Sequence, residues 1–219
     1  MEKLVVPEMK EIVNKSEDYL SKFKSDKGMN ISEAKNYSDR AILEAKDNFY
    51  TDYSDRIKLA PADSQFGKWD GEKGESKFIP SGETEKGRIA QEKLAEYGLD
   101  GIIYKNGIPD FSKCSEATVQ IEQMTENRPS NFSQADIKLS EQWNLEERLG
   151  RSDWKQEDVD KYRQDNRLIW HECSDTKTMN LISGDIHPDG KGNGIFTHSG
   201  GVAECRIRDN KSVGGGFDE

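Results

Sequence analysis

The chain has 219 residues and a formal net charge of −10, and charged residues (34 %) slightly outnumber apolar ones (32 %). Four Trp, seven Tyr and eight Phe still supply large groups for a modest core, which excludes wholesale disorder. The acidity excludes a protein that grips nucleic acid by general attraction, because Lys and Arg contacts to phosphate dominate such affinity.

In chain order, Ile12, Val13, Ser16, Leu20 and Phe23 share one face of a predicted helix. Ile42, Ala45, Phe49, Tyr53 and Ile57 repeat the pattern in a second. This N-terminal part carries no residue pattern that suggests chemistry. Gly67 to Gly82, rich in Gly, Ser, Lys and Glu, reads as a loop opening a new domain. A helix from Thr84 to Tyr97 follows, with Gly98 placed as the left-handed residue that ends it. Ile102-Ile103-Tyr104 and Ile108 flank Asn106-Gly107, a pair suited to a tight hairpin because both residues tolerate positive φ. Val119 and Ile121 mark a further strand. Helices are expected from Ser133-Gln134-Ala135-Asp136 through Leu139 and Trp143, and from Trp154 to Gln164 with Asp153 as cap.

The chemistry concentrates after Arg167. All three histidines of the chain, His171, His187 and His198, fall there. Leu168-Ile169-Trp170 reads as a strand ending in His171 and Glu172, Ser174 to Lys177 as a polar turn, and Thr178 to Ile182 as the returning strand. Ser183-Gly184 then caps a short expected helix carrying Asp185, Ile186 and His187. Such a frame suits phosphodiester hydrolysis, which needs a divalent metal on the phosphate and a base of near-neutral pKa. Imidazole supplies both functions. Gly190-x-Gly192-x-Gly194 lacks the Lys-Ser/Thr ending of a phosphate loop and reads as an insertion. Cys114, Cys173 and Cys205 contain no C-x-x-C pair, so neither a disulfide framework nor a zinc ribbon is indicated. No apolar run approaches a membrane span, and residues 1–7 lack a signal-peptide core.

Several blocks occur in the order found in one known superfamily. Trp170-His171-Glu172, Thr178-Met179-Asn180-Leu181-Ile182, Ile186-His187 and Phe196-Thr197-His198-Ser199-Gly200-Gly201-Val202 resemble the HNH/endonuclease VII nucleases of bacterial toxins. Asp100 to Tyr104, Pro109-Asp110-Phe111, and Met124 to Arg128 with Asn131-Phe132 resemble the segment that precedes the motif there. The resemblance spans about residues 98–208. It implies a ββα-metal site, cleavage of DNA ahead of RNA, a divalent ion (Mg, Mn, Ni or Zn), use as an antibacterial toxin, and a cognate immunity protein. His171 matches the signature His and is expected to be the general base, while His187 and His198 would ligate the metal. Glu172 stands where many relatives have a second His, and either ligates the metal or assists the base. The segment from Pro188 to Ile195 is longer than the usual gap. No single helix carries both flanking His across that Pro and its glycines, so His198 either loops back to the metal or is structural.

The expected architecture is α+β. A helical region, 1–65, precedes a small mixed domain, 66–219, whose ββα-metal motif lies near 167–201. Arg163, Arg167, Arg206 and Arg208, with Lys211, flank the motif and are candidate phosphate contacts. The expected setting is bacterial, with delivery that needs no cleavable signal and action in the target-cell cytoplasm. A rival reading is an acidic binding protein with a degenerate site, for which Glu172 in place of His would be the mark.

Overall fold

The structure, a computed structural model, describes residues 49–188 and 194–214. The expected helix over 12–23 and the first part of the second lie outside them. From Phe49 onward the chain forms one compact unit. The second expected helix is described only from residue 49, and there it is short, α1 (Tyr53–Leu59). Residues 49–52 are not helical. Their backbone is instead bound by other groups: the Glu204 carboxylate accepts the N–H groups of Tyr50 and Thr51 and the Thr51 hydroxyl. Arg56, fully buried, donates to the Thr51 carbonyl and to the Asn106 carbonyl at 2.8 Å.

The segment expected as a loop between Gly67 and Gly82 contains two strands, β1 (Gly67–Trp69) and β2 (Lys77–Pro80). Both are only three or four residues long, which is too short to show a period against their Gly- and Lys-rich surroundings. They pair antiparallel with each other, β2 also pairs with β3 (Ile102–Lys105), and β4 (Ile108–Pro109) on the far side of β3 completes a four-stranded sheet. The β3–β4 hairpin turns on Asn106 and Gly107 at φ 54° and 76°, the double left-handed geometry that Asn-Gly favours. A Cβ at Gly107 would lie 2.9 Å from the Arg56 backbone carbon, so only glycine fits there. Helix α2 (Glu85–Ala95) starts on Thr84, whose hydroxyl accepts the Gly87 N–H at 3.1 Å, and Gly98 follows it at φ 69°.

A second, three-stranded antiparallel sheet has the order β5 (Ser115–Gln120), β7 (Thr178–Ser183), β6 (Leu168–Glu172). Helix α3 (Arg128–Leu145) begins five residues before the expected start. Asn127, not Ser133, is its cap, accepting the Ser130 N–H at 3.1 Å, and Pro129 sits in the first turn, where its missing N–H costs nothing. Helix α4 (Gln156–Asp165) begins two residues later than expected. Asp158 rather than Asp153 closes its start, accepting the Lys155 N–H at 3.0 Å. Helix α5 (Gly201–Gly214) ends the described chain.

Two apolar clusters fill the unit. One joins α3 and α4 to the three-stranded sheet through Leu139, Trp143, Val159, Trp170, Met179 and Leu181. The other lies against the four-stranded sheet and α2, with Phe78, Leu94, Tyr104, Phe111, Ile182 and Phe196. The three-stranded sheet is therefore covered on both faces, and all of β6 except Ile169 is buried.

Candidate metal centre

Strand β6 carries Trp170, His171 and Glu172 in succession, and successive strand side chains point to opposite faces. Trp170 turns toward α3, where its indole N–H donates to Asp136 Oδ1 at 2.8 Å. His171 turns the other way, onto the edge of Phe111, with ring centroids 4.9 Å apart. Glu172 turns back to the Trp170 side. Its Oε1 accepts from Asn131 Nδ2 at 2.7 Å, and its Oε2 lies 3.1 Å from Arg128 Nε. The β6–β7 turn is set by Asp175, which accepts the N–H groups of Lys177 and Thr178 at 3.0 and 2.8 Å, with Thr176 at φ 59°.

His187 follows β7 as anticipated, but it is not on a helix. Ser183 O accepts the N–H groups of both Ile186 and His187 at 3.0 Å, which gives a single hydrogen-bonded turn. The helix of the motif is α5, which begins after His198. The chain returns at Gly194, where an added Cβ would lie 2.3 Å from the His187 carbonyl carbon. That close approach brings residues 194–198 back over His187, so His198 rejoins the site. Residues 189–193 lie outside the described residues.

The outcome is a cluster of three imidazoles, each offering a nitrogen within 4.8 Å of the others. His171 Nδ1 lies 3.0 Å from His187 Nε2. His198 Nδ1 is 2.9 Å from the Phe196 carbonyl, an acceptor that places the proton on Nδ1 and leaves the Nε2 lone pair for a ligand. Phe111 braces all three rings, its centroid 5.6 Å from those of both His187 and His198. Burial pushes His171 well below the ordinary histidine range, and the neighbouring His198, His187 and Arg128 push the same way. Burial also lowers His198, to about 4, against the opposing Phe196 carbonyl bond and with the help of Arg128. Neutral imidazoles are the form that binds a metal. Nitrogens about 2.0–2.1 Å from one tetrahedral ion lie about 3.3 Å apart, which these side chains reach with small rotations. The residues fit a divalent metal.

Residues 101–194 match the family described as the DNase/tRNase domain of colicin-like bacteriocin. The chain carries an HNH/colicin-DNase-like nuclease domain. No curated protein matches the chain. The matched stretch of the nuclease domain includes His171 and His187 but stops short of His198, whose place beside them is decided by geometry.

The other expected site residues are distributed differently. Glu172 lines the same cleft as the histidines, but it is bound to Asn131 and Arg128 and burial raises its pKa. Arg163 is buried in a two-bond pair with Asp136 at 2.7 and 2.8 Å. Arg167 pairs with Asp185 at 3.1 Å and Arg206 with Glu126 at 3.3 Å. Arg208 donates to the Met124 carbonyl at 2.9 Å and pairs with Asp209. The Lys211 side chain lies outside what is described. Of the cysteines, burial pushes the Cys173 thiol up to about 12, and Cys205 donates to the Met124 carbonyl at 3.2 Å. Among the described residues no cysteine joins the metal-binding group. The nuclease domain also places Phe111, Arg128 and Asn131 at the site, none of which had an assigned role in the sequence reading. For Arg128 a signal existed: a cation beside Pro129, at the positive end of a helix.

Proposed function

We propose that the protein is a metal-dependent DNA endonuclease used as an antibacterial toxin, with His171, His187 and His198 as its metal ligands. The observation that carries this is the convergence of three imidazoles, His171 and His187 buried and His198 half-buried, beside one cleft. In this reading His171 shares the ligand role, since its Nδ1 lies 3.0 Å from His187 Nε2 and the three histidines offer nitrogens within 4.8 Å of one another. Three neutral nitrogen ligands without a carboxylate suit zinc, nickel or another transition metal better than magnesium, which prefers oxygen. Such an ion would act as a Lewis acid on a phosphate oxygen and lower the pKa of water toward 7. The protein's own part is to hold the three rings together, with Phe111 behind them, burial keeping His171 and His198 neutral and the Phe196 carbonyl fixing one tautomer.

Similarity to the DNase/tRNase domain of colicin-like bacteriocin supports the toxin role and the two substrates, DNA first and RNA as the second reading. A toxin of this kind needs an immunity protein in the cell that makes it, and it acts in the cytoplasm of the cell it enters. Among the described residues no helix is long and apolar enough to cross a membrane.

The test is cleavage of plasmid DNA and of transfer RNA by the purified chain, with Zn, Ni, Mn or Mg ions, against EDTA. Cleavage of DNA that EDTA abolishes supports the reading. Cleavage of RNA alone transfers it to the second substrate, and inertness toward both with every metal refutes it.

A further inference from the structure

With a net charge of −10 the chain must hold a polyanion by local contacts. Arg163, Arg167, Arg206 and Arg208 are each engaged by carboxylates. Arg128 is placed differently. It is the first residue of α3, and no acidic residue shares that first turn. A cation at this position opposes the helix dipole, whose N-terminal end is already positive. Breaches of local rules of this kind concentrate at functional sites.

The surroundings of Arg128 are built to hold it. Glu172, with a side-chain exposure of 4 %, grips Nε at 3.1 Å. The other Glu172 oxygen is pinned by Asn131, which is fully buried. Asn131 is itself fixed by two bonds to Thr125: its amide donates to the carbonyl at 2.8 Å, and its oxygen accepts the N–H at 3.0 Å. The guanidinium is thus held along one edge, while its side chain remains 61 % exposed and lines the cleft together with His171, His187 and His198. Among the described residues no acceptor takes Nη1 or Nη2. A planar fork with two unused donors, fixed beside a metal-binding group, matches a phosphate diester.

We propose that Arg128 holds the scissile phosphate against the three-histidine centre, with Glu172 and Asn131 as positioning residues that fix its guanidinium. This rests on the nuclease reading and names the contact by which that site takes a phosphate. It also explains why Glu172, next to His171 in sequence, points away from the shared point of the imidazoles: its partner is the cation.

The experiment uses the full chain with Zn ions, a duplex DNA substrate, and the variants Arg128→Ala, Arg128→Lys, Glu172→Gln and Arg128→Ala/Glu172→Gln. Zinc affinity is measured by calorimetry with the metal alone, and thermal midpoints are compared. Arg128→Ala is expected to lower kcat by about 100-fold, the scale of losing one transition-state donor, with zinc affinity and midpoint close to the parent. Guanidinium ion added to Arg128→Ala should restore part of the rate. Lys is expected to recover little, because an ammonium on a flexible stem lacks the planar fork that takes Glu172 along one edge and a phosphate along another. Glu172→Gln should lose about tenfold alone and nothing further in the Arg128→Ala background, since it acts through that residue. Parental cleavage by Arg128→Ala overturns the proposal, as does a Glu172→Gln loss that persists undiminished in the double variant. If the parent binds zinc but cuts neither DNA nor RNA, the nuclease reading itself fails and takes this contact with it.

Discussion

Asp136 Oδ1 accepts the indole N–H of Trp170 at 2.8 Å, and through that bond a helix fixes the residue directly before His171. The same carboxylate takes Nε and Nη2 of Arg163, so α3, α4 and β6 meet at one buried charge pair. Removing Asp136 leaves the buried Arg163 with only the half-exposed Asp160, at 2.7 Å, as carboxylate partner among the described residues, and strands the Trp170 indole N–H. Asp136→Ala is expected to cost about 3–5 kcal/mol, seen as a lower midpoint in urea unfolding. Replacing both members by apolar residues, as Asp136→Leu/Arg163→Met, should recover much of that loss. A double variant as unstable as the single one would show that the pair's geometry, and not the unmatched charge, sets the cost.

His171→Ala separates a ligand from a base. As a ligand, His171 contributes directly to affinity, and its loss should weaken zinc binding by more than the roughly 10–100-fold typical of outer-shell changes. A base that is not a ligand would leave calorimetric affinity near the parent while cleavage disappears. The second result would return His171 to the base role read from the sequence.

The depressed histidines make acid stability a further readout. His198 is lowered to about 4 and His171 is shifted in the same direction, mainly by burial. Unfolded, both revert to about 6.5 and bind protons that the folded chain refuses. Their contribution to stability is therefore whole above about 6.5 and is lost as pH falls below it, for His198 down through about 4. Glu172, whose folded pKa is raised, works in the opposite direction just above the ordinary carboxylate range. In EDTA, the parent should lose stability between pH 6.5 and 5, and His198→Gln should show a shallower slope over that window. Equal slopes would mean that His198 stays neutral for no energetic reason.

The contact between residues 50–51 and Glu204 sets where the nuclease domain can be cut. Glu204 is fully buried and has both oxygens occupied by this segment. A fragment beginning at residue 66 strands that carboxylate, while one beginning at residue 49 keeps its partners. The shorter fragment should unfold at a lower temperature, and Thr51→Val in the full chain should cost about 1–3 kcal/mol. Equal melting of the two fragments would place the energetic boundary after residue 65 instead.

Much of the local structure was legible before any coordinates. Thr84 with Gly98, Asn106-Gly107, and Asp175 in its turn act through backbone φ/ψ and hydrogen bonds to near neighbours, so each carries its own evidence. The misreadings also have local causes. Strands β1 and β2 are too short to show a period, and Asn127 caps α3 ahead of Ser133, which has the more conspicuous capping pattern in the sequence. The strand–turn–strand delivery of His171 followed from pattern alone, and so did the suspicion that His187 and His198 matter.

Which groups meet was decided elsewhere. Both faces of β6 are buried, so alternation along Trp170-His171-Glu172 shows that neighbours diverge but not which side holds the metal. That choice comes from Phe111, β7 and the returning chain on one face, and from α3 on the other. Gly194 lets the chain cross closely over His187 and so brings His198 back to the site across a gap that spacing alone left open. Arg128 and Asn131, some forty residues before Glu172, become its partners only because α3 packs on the sheet. Short-range rules therefore determined the elements, while the coincidence of distant side chains, three imidazoles and a clamped cation along one cleft, required the packed core.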